Sequence, residues 1–212
     1  METKIEKPKL RGYFHQEAFF IALGACIMLM AQTSTRVSFM AALVFSLGLI
    51  GMLGVSSIYH RFHWDPKPRS ILKRLDHSMI FINIAATATP ICVFSLGEES
   101  GRDFLTLIWT IAVVGVFQSI FFSKAPKFIS AMFYIVMGWM AIPYISELKD
   151  TLGNVSLGLL VAGGVVYTVG AMFYAFKKPN FFPKSFGYHE LFHVFTVIGA
   201  VLHFLVIYRV LP

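Results

Sequence analysis

Charge is what this sequence lacks. Only 14% of its 212 residues are Asp, Glu, Lys or Arg, against 57% hydrophobic, and mean hydropathy is +0.70. Such a balance excludes a soluble globular domain and a disordered chain, and places the protein in the membrane class. Cysteine is nearly absent as well: Cys26 and Cys92 are the only two. That excludes a disulfide scaffold and a Cys-rich metal site, and both cysteines read as small packing residues within apolar runs. Low-complexity segments and internal repeats are missing. LGAC, residues 23–26, resembles a lipoprotein cleavage box, but the apolar run continues past the cysteine, so an uncleaved first helix is expected.

What is there is a set of seven charge-free runs, 18–35, 37–60, 78–97, 104–123, 128–146, 151–176 and 191–208. Each is long enough to cross a ~30 Å hydrocarbon core as a helix. Helices are the expected answer, because lipid offers no partner for an unpaired backbone group. The expected fold is therefore all-α: one integral bundle of seven transmembrane helices over residues 1–212, with residues 1–16 as a short tail. Fourteen of the 18 Lys and Arg fall before span one or after spans two, four and six, and four fall on the other side. The positive-inside rule puts the N-terminus in the cytoplasm and the C-terminus outside. The net charge of +7 follows from this asymmetry. It points to anionic lipid headgroups as partners and not to nucleic acid. The expected location is a cell membrane, crossed several times, and in a bacterium the inner one.

Ionisable residues at membrane depth mark function by default. His60 closes the second span in SSIYH, while His189 and His193 open the seventh in HELFH. On the expected topology all three meet at the cytoplasmic end, together with Asp76 of RLDH, about two turns into a third helix capped by Ser70. Residues at i and i+4 share one helix face, so His189 and His193 can bind one ion, and Ser56 stands in the same relation to His60. Three neutral imidazoles with an open fourth position form the catalytic zinc pattern, although copper and nickel suit the same donors. The plainer alternative is a set of interfacial histidines.

HELFH also has the spelling of a metalloprotease helix, H-E-x-x-H. A gluzincin needs a later Glu ligand, and residues 194–212 contain no Asp or Glu. The metzincin third-ligand position is Gly199. His203 follows His193 by ten residues, a rise of ~15 Å along a helix, too far to bind the same ion. Glu190 is rotated off the histidine face and reads as an exposed first-turn acid, not a general base. An intramembrane protease is thus a weak reading. A retinal photoreceptor is excluded, since the seventh span carries no lysine.

SSIYH, RLDHS and HELFH, in this order on the second, third and seventh spans, resemble the progestin and adipoQ receptor family, specifically its bacterial hemolysin III-like branch. Alkaline ceramidases look like more distant relatives. The resemblance covers roughly residues 40–208. It implies zinc held by His60, His189 and His193, a water on that zinc held by Asp76, and Ser56 close by. It also implies the N-in, seven-helix topology that the charges give independently. His15, in YFHQEAF before the first span, receives no role. Three function classes follow: a zinc-dependent hydrolase of a lipid amide or ester, with Asp76 as general base and Ser56 orienting; a receptor-like sensor with structural zinc; and a pore or cytolysin. The pore ranks lowest, because pores need polar rings through the membrane. On the third helix Asp76, Asn83 and Thr87 form one polar stripe, which with His203 would line a wet cavity above the zinc or else join helix to helix. An acyl chain in the bundle is the matching partner.

Overall fold

The computed structural model describes residues 7–122 and 126–212. Seven α-helices are found there: α1 Tyr13–Ala31, α2 Arg36–Arg61, α3 Pro66–Ser95, α4 Glu98–Phe121, α5 Lys127–Gly138, α6 Ile145–Phe176 and α7 Tyr188–Val210. A 3-10 turn, Ile142–Tyr144, joins α5 to α6. Among the described residues there is no strand, only an isolated bridge between Phe182 and Phe186. Six stretches are long and apolar enough to cross a membrane, Phe128–Phe176 counting as one of them.

Local chemistry sets the boundaries. Thr35 and Ser38 cap α2 reciprocally, each side chain meeting the other's backbone amide at 3.0 Å, which satisfies donors that a helix start leaves open. α3 begins at Pro66, whose fixed φ suits a first helical position. Its N-cap is Asp65 and not Ser70, so Asp76 lies about three turns in rather than two. Pro90 sits inside α3, whereas Pro143 falls in the 3-10 turn and interrupts no helix.

The region around residues 147–150 differs from expectation. These charged residues read as a loop, yet they are helical, in the first turns of α6. The chain bends instead at residues 139–144 and at Gly153, whose φ of +69° favours a residue without a side chain. With 12 residues, α5 spans about 18 Å, too short for a crossing by itself.

Neighbours along the chain pack side by side from α1 to α7, and α7 returns to α1. α3 touches α2, α4, α5, α6 and α7, and is the axis of the bundle. Small residues let it approach its neighbours. A Cβ added at Gly48 of α2 would sit 2.4 Å from Ala86 Cβ, and one at Gly115 of α4 would sit 2.3 Å from the Phe81 ring. Gly51 and Gly54 likewise meet Met79 and Phe19, so the glycines of α2 serve close packing. Cys26 and Cys92 are buried and free. One core joins α1, α2 and α7 around Phe45 and Ile207, and another joins α3, α4 and α6 around Phe81 and Ile108.

The chain before α1 is bound to the bundle. The amides of Lys9 and Leu10 donate to the carbonyls of Lys184 and Ser185, at 3.1 and 3.2 Å, and Lys7 Nζ donates to Phe62 O. This segment ends at Gly12, in the left-handed region at φ +82°. α1 starts at Tyr13, so its first turn takes in the last residues of the expected tail.

A candidate metal centre at one end of the bundle

The last turn of α2 and the first two turns of α7 bring three imidazoles together. His60 Nε2 and His189 Nε2 are 3.3 Å apart, and one nitrogen from each of His60, His189 and His193 falls within 4.8 Å of the others. All three side chains are buried. A tetrahedral ion bound at 2.0–2.1 Å would separate two of its nitrogen ligands by ~3.3 Å. The spacing therefore fits a shared ion, and so does the donor set. This group can hold a metal ion.

Asp76 is brought to the same place by α3. Its Oδ2 lies 3.5 Å from His60 Nε2, outside the three-nitrogen cluster. Ser56, one turn before His60, donates its hydroxyl to the Asp76 carboxylate. All five residues singled out in the sequence thus share one buried pocket. Serine, aspartate and imidazoles form a linked polar set that a low-dielectric interior strengthens.

Two neighbours were not foreseen. His15 of α1 is 2% exposed and lies flat on His193, ring centroids 3.8 Å apart and planes 3° from parallel. The available signal was depth: His15 opens the first helix on the same side as the other three. The second is Arg11. Its guanidinium donates to Glu190, which is buried, 1% exposed, and also accepts from the Gly187 amide at 2.8 Å. Glu190 is therefore not the exposed acid expected from its place in the first turn. A partner 179 residues away in sequence neutralises it, and a buried carboxylate requires such a partner. A Cβ at Gly12 would stand 2.9 Å from His60 Cβ, so the approach of this segment to the histidine is itself close.

A cavity leads from the cluster into the bundle. Asp76, Asn83 and Thr87 of α3 line it, with His203 of α7 and Tyr167 and Thr168 of α6. His203 Nε2 donates to the Leu160 carbonyl at 3.1 Å. Elsewhere its wall is mostly apolar, from Ile80, Ile84, Ile91, Phe104 and Ile108. Around its histidine end the positive charge is crowded. Burial first, and then Arg11, Arg69 and Arg61, hold Lys7 below the ordinary lysine pKa.

The fold and site define a multi-pass helical membrane protein with a buried, metal-competent histidine triplet. Comparison with known proteins agrees. The family model described as haemolysin-III related matches residues 3–204, and the chain belongs to that family. It is 33% identical over 202 residues to the Hemolysin-3 of Bacillus cereus, covering 93% of this chain and 89% of the relative. It is 32% identical over 161 residues to the Hemolysin-3 homolog of Bacillus subtilis, covering 76% and 72%. A plant relative, the Heptahelical transmembrane protein ADIPOR2 of Oryza sativa, is 28% identical over 182 residues, covering 78% and 79%.

Proposed function

We propose that the protein is a zinc-dependent hydrolase of a long-chain lipid amide or ester, working at the cytoplasmic leaflet in membrane lipid homeostasis. The observation that carries this reading is one juxtaposition: a triplet of buried imidazoles with an aspartate beside it, at the mouth of an apolar cavity. The reading includes seven crossings, N-terminus inside. The heptahelical name of the rice relative supports that count, and so do three contacts. Gly97 N donates to Glu147 and Thr151 Oγ1 donates to Ser95 O, placing the start of α6 at the far end of α3. Tyr134 of α5 reaches His77 O nearer the site.

His60, His189 and His193 hold the ion, which when bound activates water and polarises a carbonyl. Asp76 accepts the proton of the attacking water and delivers it to the departing amine. The water oxygen adds to the carbonyl carbon first, and the C–N bond of an amide, or the alkoxy C–O bond of an ester, then breaks as the leaving amine or alcohol takes the proton. Ser56 fixes the carboxylate by its hydrogen bond. The apolar wall takes the acyl chain and excludes water, and the cationic rim attracts anionic headgroups.

A second reading, a receptor-like sensor with structural zinc, is favoured by the closeness of Asp76 to His60, from which a carboxylate can fill the fourth position. The test is elemental analysis of protein purified without chelators, then assay of a long-chain N-acyl amide and a diacyl ester in nanodiscs. The hydrolase reading expects about one zinc per chain and release of fatty acid. Metal-free protein ends both readings. Tightly held zinc without turnover of either lipid leaves the structural one.

A further inference from the structure

His15 is the one site residue supplied by α1, and nothing in the hydrolytic scheme uses it. It is 2% exposed, lies on the cavity wall, and neither of its ring nitrogens meets the geometry of a hydrogen bond. Burying an imidazole without partners costs free energy, so a compensating interaction is expected. A looser contact with the His193 backbone and the flat stack on the His193 ring, at 3.8 Å and 3°, supply it.

A metal-bound histidine ordinarily has its other nitrogen tethered by a carboxylate, carbonyl or water, which sets the tautomer and the plane of the ring. Bound through Nε2, the nitrogen that His60 and His189 turn toward each other, His193 would keep an Nδ1 with no tether from the protein. Rotation about the side-chain torsions is then limited by packing alone. A second aromatic ring pressed against its face leaves that plane little freedom. We infer that His15 is a positioning residue for the metal centre: its face-to-face stack on His193 replaces the missing hydrogen bond and holds that ligand's ring in the binding plane.

The inference rests on the metal reading above. It concerns the ring face of His15, which separates it from simple space filling. His15 does not add a fourth ligand, because its lone pairs lie in a plane parallel to that of His193 and not directed at the ion His193 would bind.

The test is zinc affinity of the full chain in nanodiscs, by competition with a chromophoric chelator, for wild type and for His15→Phe, His15→Leu and His15→Ala. The visible spectrum of the cobalt form gives a second readout. Loss of an outer tether costs metal sites roughly 10- to 100-fold in affinity. His15→Ala and His15→Leu are expected to fall by that factor, with a broadened cobalt spectrum. His15→Phe, which keeps a flat ring, stays within about threefold of wild type. Because Phe restores binding, misfolding cannot explain the loss in Leu. Leu binding as well as Phe overturns the inference in favour of volume alone, and Ala at wild-type affinity overturns it outright. Wild-type protein that binds no zinc brings down the metal reading and this inference together, and the wild-type arm alone identifies that outcome.

Discussion

His60 Nε2 and His189 Nε2 stand 3.3 Å apart although 129 residues separate them. Two neutral imidazoles at that distance can share one proton, and an ion bound between them would fit the same spacing. Anything that binds the folded state alone stabilises it, by about 3–4 kcal/mol at 100 to 1,000 times Kd. Zinc returned to chelator-stripped protein should therefore raise Tm in wild type and leave His193→Ala unchanged. Equal shifts in both, read by thermal scan in detergent, would show that zinc acts elsewhere.

Asp76 is expected to separate metal binding from turnover. Asp76→Asn keeps the shape and the reach toward Ser56 but removes the base. Retained zinc with hydrolysis down by about 100-fold or more is the expected pair of results. Loss of zinc in this variant, measured by elemental analysis, would instead make Asp76 a ligand and favour the structural reading.

The Arg11–Glu190 pair joins the segment before α1 to the start of α7. Arg11→Met leaves a buried carboxylate with only the Gly187 amide, a loss of about 3 kcal/mol. Glu190→Gln should lose less, because the amide oxygen still accepts from Gly187. The double variant should recover part of the single loss, which a double-mutant cycle on urea unfolding measures. Glu190→Gln should also retain zinc and any hydrolysis. Abolished turnover with intact zinc would return Glu190 to the role of general base.

Gly48 tests how closely α2 and α3 must approach. Gly48→Ala places a methyl 2.4 Å from Ala86 Cβ, and overpacking of this kind costs about 1–3 kcal/mol. Ala86→Gly in the same chain should restore most of the lost stability. No rescue in Tm would mean that the helix contact tolerates the methyl by another route.

The charge-free runs located the helices, because lipid forces each backbone group to pair within its own segment. Interior boundaries were less legible. Glu147, Lys149 and Asp150 look like loop, but helix formation depends on backbone bonds that charged side chains do not break, and the chain turned at Gly153 instead. His60, His189, His193, Asp76 and Ser56 were legible because apolar spans make every polar side chain conspicuous. Glu190 was misjudged, since its exposure depended on Arg11, and pairing over that sequence distance leaves no periodic trace. His15 shared the depth of the other histidines, yet its stacking partner depends on how α1 leans against α7, which no spacing encodes.

The contacts around the histidines also constrain when this site can exist. Synthesis proceeds from the N-terminus, so Arg11, His15 and His60 enter the bilayer long before their counterparts on α7 leave the ribosome. Until then His60 lacks the two imidazoles of His189 and His193 that complete the triplet. On the proposed metal reading, ion capture would accordingly be a late event of biogenesis, and a metal-loaded chain would report that α7 has been inserted and docked.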